Sequence, residues 1–253
     1  MDCRVFQKER ESEIKMADIS IDTKESIEMW QMWATAWELM ALSFRYPDEV
    51  LIDAVVSGEW ADAARELADA LEFELPEGFE EDACAVVADG SQAFLHALRA
   101  EATRLFVGAP SPVCSPYEGV WRAADDGVKA LLFVNPHSME VERFCKACGL
   151  GRPEGTNEPL DHVSTECELL EYLALRAAGL LEEGEENTAT SYLSSADFPG
   201  GSPEVSYRTF FDEHVCMWMP RFAASVAENA RHPFYRAAAM FLAASLSKCN
   251  VCK

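Results

Sequence analysis

Apolar residues recur along this chain with a helical period, and polar, proline-rich or glycine-rich stretches interrupt them. From Ser26 to Phe44, the residues Ile27, Trp30, Trp33, Ala34, Trp37, Met40, Ala41 and Phe44 fall at three- and four-residue steps. Such spacing makes one apolar face of a long helix. Tyr46-Pro47 ends it, because the residue before a proline avoids the helical region. Further helices are predicted over Asp48–Ser57 and Glu59–Leu71, and from Phe79 to Phe106 after a break at Leu75–Gly78. In the last of these Ala93, Phe94, Ala97, Leu98 and Leu105 are the core candidates.

Gly108–Pro116 reads GAPSPVCSP, and three prolines in nine residues exclude a regular helix. Helical signals return at Tyr117–Ala124 and at Ser138–Cys148, where Gly149 is a C-terminal cap. A second loop, Gly151–Pro159, precedes a strong helix from Asp161 through Leu169, Leu170, Leu173 and Ala177 to Leu181. Acidic and glycine-rich segments at Glu182–Asn187 and Asp197–Pro203 read as linker and turn. Three helices close the chain, at Glu204–Met217, Pro220–Ala230 and Pro233–Lys248, with each proline placed in a first turn. No alternating pattern of useful length argues for a strand. The pattern therefore predicts an all-α fold over residues 25–253, as one bundle or two intimate lobes, behind a flexible leader over residues 1–24.

Composition narrows what such a bundle does. Of 253 residues, 44 are acidic and 21 basic, a formal charge of −23. Nucleic acid is excluded as a partner, since phosphate contacts need a Lys/Arg surface. A cationic partner suits the acidic field. The longest apolar run, around Ala237–Leu246, is far short of the ~20 residues that span a bilayer, and no membrane insertion is expected. The charged first fifteen residues lack the apolar core of a secretory signal, so the nine cysteines read as reduced thiols of a cytoplasmic protein. No phosphate loop or nucleophile elbow is present, and no cofactor is implied.

The densest polar cluster is Glu158-Pro159-Leu160-Asp161-His162-Val163-Ser164-Thr165-Glu166. Asp161 is positioned to cap the helix that follows, and His162 and Glu166 stand four apart on one face. The residues alone leave two readings open: a structural cap with a surface His–Glu pair, or an acid–base pair. A second motif, Cys145-x-x-Cys148 with Cys249-x-x-Cys252, has the ligand count of a tetrahedral zinc site. Its halves lie about a hundred residues apart, and no metal is expected.

The EPLDHVSTE segment resembles the E-P-x-D-H-x-x-x-E-L signature of the TorD/DmsD/NarJ family of redox-enzyme maturation chaperones. Arg104–Gly108 with Ser115–Trp121 resembles that family's RLF and P-[WY]-E-S-V segments. Phe211–Phe222 is similar to its H-x-x-x-W-x-P-x-F segment, and Pro233–Ala239 to the P-F-Y start of its last helix. The matches come in family order. Cys167 stands where leucine is usual, and Gly119 where serine is common.

The resemblance implies a cytoplasmic, all-helical, TorD-like chaperone that is not an enzyme, present as monomer or dimer. Its partner would be the twin-arginine signal peptide on the apo form of a molybdoenzyme, held during cofactor insertion so that export is delayed. Phe44, Leu105, Phe106, Tyr117 and Trp121 would supply apolar surface, and Glu118, Glu158 and Asp161 an anionic rim. Pro116, Pro159, His162 and Glu166 complete the implied binding surface, with loops Gly108–Pro116 and Gly151–Leu160 brought close together. The alternatives are a small helical enzyme using Asp161, His162 and Glu166, and a zinc-stabilised interaction protein using the cysteine pairs.

Overall fold

The computed structural model describes residues 3–85, 91–128, 135–151, 159–181 and 193–251, and their side chains from 24 onward except at 91, 250 and 251. The described elements are helical, and no strand occurs among them. They are α1 (Cys3–Phe44), α2 (Glu49–Ser57), α3 (Glu59–Ala70), α4 (Phe79–Ala83), α5 (Ser91–Ala102), α6 (Glu118–Asp125), α7 (Pro136–Ala147), α8 (Val163–Ala177), α9 (Pro203–Phe210), α10 (Cys216–Asn229) and α11 (Pro233–Val251). The all-α expectation holds.

The central packing is α1 against α8, with α9 packed on α8 and touching α1, and α10 against α11. Trp37, Trp60 and Trp218 are fully buried, and each indole N–H finds an acceptor, as burial requires. Trp37 donates to Tyr207 Oη at 2.7 Å, Trp60 to Ser43 Oγ at 2.9 Å, and Trp218 to Glu166 Oε2 at 3.0 Å. These bonds fix how α1 meets α9, how α1 meets α3, and how α8 meets α10.

The sequence and structure differ in instructive places. The single helix expected over Phe79–Phe106 is two: α4 is one short turn anchored by buried Phe79, and α5 starts at Ser91. α4 is held to α11 by Asp82, which takes a fork of bonds from Arg236. Its hold is thus a partner distant in sequence rather than its own length. The break expected near Pro220 is absent. α9 runs into α10 through a π-turn at Phe211–Val215, and Pro220 lies inside α10. The widened turn just upstream accommodates a helix whose regular ladder the proline interrupts. A second π-turn, Thr103–Val107, ends α5 with Gly108 N–H donating to Thr103 O at 2.8 Å. Gly149 caps α7 as expected: its φ is 78°, and Leu150 N–H reaches back to Cys145 O at 2.9 Å.

Candidate functional site

The proline-rich loop and the loop before α8 meet where α6 and α8 begin. Tyr117 and His162 are both extended and pair as a single antiparallel rung. Glu118 N–H donates to Asp161 O at 2.9 Å, and Val163 N–H donates to Pro116 O at 2.8 Å. Each helix start thereby satisfies donors of the other's first turn, which would otherwise be orphaned. The expected proximity of the two loops is seen at these junction residues. Glu158 lies outside the described residues.

Beneath the rung is a buried polar network. Asp161 is 1% exposed, and its Oδ2 accepts from Gly119 N–H at 2.9 Å and Ser138 Oγ–H at 2.6 Å. Asn135 caps α7 through its Oδ1 and donates from Nδ2 to Gly119 O. A Cβ at position 119 would press on Ser138 Oγ and Asp161 Oδ2, so a larger residue there would displace the Ser138–Asp161 pair. The hydroxyl that a serine at 119 would offer comes instead from Ser138 on α7.

Glu118, also fully buried, accepts from Arg122 Nη1 at 2.8 Å and lies 3.0 Å from His214 Nδ1. Arg122 also donates to Glu213 O at 3.0 Å. Glu166 is sealed beside them. Burial first, and then the charge of Glu118, push its carboxyl well above the usual range, with Trp218 pulling the other way. Asp161 is likewise raised by burial, against the bonds from Ser138 and Gly119. A proton retained on Glu166 lets Glu166 and Glu118 share a hydrogen bond, where two bare carboxylates would repel.

Three of the expected roles change here. The cap of α8 is His162, whose Nδ1 accepts from Ser164 N–H at 3.2 Å, rather than Asp161, which is turned inward to α6 and α7. His162 and Glu166 do not pair: the histidine bonds Ser164, and Glu166 bonds Trp218. Glu118, Asp161 and Glu166 are enclosed and held by internal donors, with Asp161 Oδ1 and Glu166 Oε1 left without a donor, so they form a frame and not an exposed anionic rim.

The apolar set divides too. Phe44 and Leu105 are buried in the core, as are Pro116 and Pro159, and Phe106 is half-buried against Phe44, Phe222 and Tyr235. Tyr117, Trp121 and His162 keep part of their surface open. The Tyr117 and His162 rings meet edge-on with centroids 5.2 Å apart. Trp121, one turn along α6, donates to Ser115 O at 2.8 Å and lies under the Arg221 guanidinium at 5.6 Å. Desolvation lowers the His162 pKa to about 4, so its ring is neutral near pH 7.

Among the described residues no three His, Cys, Asp or Glu side chains converge to hold a metal ion. Cys145 and Cys148 are buried, and desolvation pushes both thiols up to about 12, away from the thiolate that binds zinc. Cys252 lies outside the described residues.

The network joins segments that are far apart in sequence: Glu118–Gly119, Asp161–Glu166, and His214 with Trp218. A family model described as nitrate reductase delta subunit matches residues 54–224, more than half of the chain and all three of these segments. The chain belongs to the nitrate reductase delta subunit family. This NarJ/TorD-type chaperone family supports a role as a molybdoenzyme maturation chaperone. Among solved structures, one of a protein described as a redox enzyme maturation protein from Archaeoglobus fulgidus is similar. It is 21% identical, with a TM-score of 0.47, and the match covers 83% of this chain and 93% of that one. No curated protein matches the chain.

In the terms of this family, its motif residues are one another's partners. The signature glutamates Glu118 and Glu166 meet the signature His214 and Trp218. Arg104 of the RLF segment grips Glu101 at 2.8 Å and Asn229 O at 2.7 Å. Glu101 also accepts from Arg231 N–H at the turn into α11, and its pKa falls to about 2 against the cost of its burial. Ser138 and Asn135 escaped the sequence reading because neither lies in a recognisable motif. His214 and Trp218 were visible as a motif, but their partners were not.

Proposed function

We propose that this chain binds the twin-arginine signal peptide of a molybdenum-containing oxidoreductase in the cytoplasm, assisting cofactor insertion and delaying export. The observation that carries this reading is the partly open aromatic surface of Tyr117, His162 and Trp121, mounted on the buried carboxylate network within the family-matched residues. A signal peptide has a basic start and an apolar middle. The aromatic surface would take the apolar part. Glu118, Asp161 and Glu166 would act from below by holding the rung that positions Tyr117 and His162. The charge of −23 would speed encounter with the basic end.

The test is surface plasmon resonance with a client signal peptide, beside thermal melting of each variant. Tyr117→Ala and Trp121→Ala are expected to raise the dissociation rate at least tenfold with little loss of melting temperature. Added salt is expected to slow association by screening and to leave dissociation unchanged. Unchanged dissociation in both variants would overturn the assignment of the surface, and association independent of salt would remove the role of charge.

A further inference from the structure

A pocket of 270 Å³ opens near Trp30, where α1 enters the core against α9. Trp30 and Trp33 of α1, Tyr207 of α9 and Phe211 of the π-turn wall it, with exposed Arg208 and Asp212 at its mouth. Trp30 meets Tyr207 edge-on with centroids 5.1 Å apart, and the Tyr207 and Phe211 rings lie parallel, 6.3 Å apart. Such walls favour another flat ring, which stacks on their faces or meets their edges. None of these residues belongs to the Tyr117–His162 junction.

The donors of this pocket are left open. The chain has six tryptophans, and the indole N–H groups of Trp37, Trp60, Trp121 and Trp218 are all bonded inside the fold. Trp30 and Trp33 are each only 8% exposed, yet among the described residues neither of their N–H groups makes a hydrogen bond. Neither nitrogen is among the unpartnered atoms sealed off from solvent, so both open on the pocket that their rings wall. Buried indole donors are ordinarily satisfied within the protein. The hydroxyl in the wall, Tyr207 Oη, is already taken by Trp37 at 2.7 Å. Arg208 also makes no hydrogen bond or ion pair among the described residues, although Asp212 follows it by one helical turn. Two indole donors and a guanidinium thus line one aromatic pocket.

We propose that this pocket binds a small planar aromatic carboxylate. The ring packs among Trp30, Trp33, Tyr207 and Phe211. The carboxylate accepts from the indole N–H groups of Trp30 and Trp33 and from the guanidinium fork of Arg208, which matches two carboxylate oxygens. The volume of 270 Å³ is below the range of about 300–1,000 Å³ that holds drug-sized ligands, so it suits one or two fused rings and not a nucleotide. One guanidinium balances one carboxylate, whereas a doubly charged phosphate would also meet Asp212 at the mouth. The proposal goes beyond the chaperone reading and uses none of its residues.

The experiment titrates the full chain with 2-naphthoate and with 2-naphthamide, its neutral counterpart, by isothermal titration calorimetry. The six indole N–H signals are followed in parallel by nitrogen-15 NMR, with Trp30→Phe and Trp33→Phe assigning the two of interest. Naphthoate is expected to bind at least tenfold more tightly than naphthamide, because charge-assisted bonds are about twice as strong as neutral ones. The Trp30 and Trp33 signals are expected to shift, and those of Trp60, Trp121 and Trp218 to stay. Arg208→Gln, a change at an exposed position, is expected to abolish the preference for naphthoate while leaving naphthamide binding and the melting temperature unchanged. Trp33→Phe keeps a ring and drops the donor, and is expected to weaken naphthoate about threefold. Absence of naphthoate binding at millimolar concentration, equal affinity for the two probes, a preference that survives Arg208→Gln, or unmoved Trp30 and Trp33 signals at saturation would each overturn the proposal. Tyr117→Ala is expected to leave naphthoate binding intact; its loss there would move the ligand to the junction and refute the pocket. Arg208→Gln is expected to bind the client signal peptide as the parent does, so failure of the pocket leaves the chaperone reading standing.

Discussion

One helix, α8, carries two sets of glutamates that meet opposite fates. At its start Glu166 is sealed inside, bonded to Trp218, its carboxyl raised well above the usual range by burial and by the charge of Glu118. Two and five residues along, Glu168 and Glu171 face a groove beside α1 without an ion-pair partner among the described residues, Arg45 acting on Glu168 only through its nearby charge. The inner carboxyl solves its electrostatic problem within the chain, using distant residues. The outer ones have only water and the nearby charge of Arg45. Buried polar groups held by donors from several elements build a frame; half-open carboxylates keep their charges in reach of water.

The comparison breaks most readily at its inner half. Glu118→Ala strips the partner from Arg122 and His214 in the buried network, and is expected to cost about 3 kcal/mol or more. Urea unfolding at neutral pH measures this; a loss below about 1 kcal/mol would mean that the network relaxes easily. Asp161→Ala orphans Gly119 N–H and Ser138 Oγ–H and is expected to cost about 2 kcal/mol, more than a lost helix cap would.

A smaller, signed effect tests the proton on Glu166. Its folded pKa is raised, so its stabilisation is full below the unfolded value of 4.5 and is lost as pH rises through the folded pKa. Glutamine cannot lose that proton. Glu166→Gln is therefore expected to match the parent at about pH 5 and to gain on it steadily at alkaline pH. A stability difference that does not change with pH would show that Glu166 is ionised throughout.

His162→Ala removes the cap of α8 and is expected to cost about 1 kcal/mol at neutral pH. The folded His162 pKa is depressed to about 4 from 6.5, so the parent loses stability as pH falls through that window. The cost of the substitution should shrink accordingly at about pH 5, as paired thermal melts would reveal. The outer half has the opposite sign: the Glu171 pKa is raised from 4.5 to about 7, so Glu171→Gln is expected to match the parent below about pH 4.5 and to be more stable than it at neutral pH, by about 1 kcal/mol after solvent screening. A large destabilisation there would mean that Glu171 is part of the frame.

Local chemistry made much of this chain legible. The three- and four-residue steps of Trp30, Trp33, Trp37 and Phe44 sufficed for the buried face of α1, and Gly149 for the end of α7, because helix periodicity and a left-handed cap are properties of neighbouring residues. The order of four motifs sufficed for the family. What sequence could not assign was which motif residue meets which. Asp161 looked like a cap because a carboxylate before a helix usually is one, yet the fold turns it toward Gly119 and Ser138, and His162 takes the cap. Glu166 looked like the partner of His162 at one helical turn, yet it pairs with Trp218, fifty-two residues away. Only the tertiary structure decided that Glu118 and Glu166 are inside while Glu168 and Glu171 are outside. The four have identical side chains, and what separates them is the burial and partners that other elements bring.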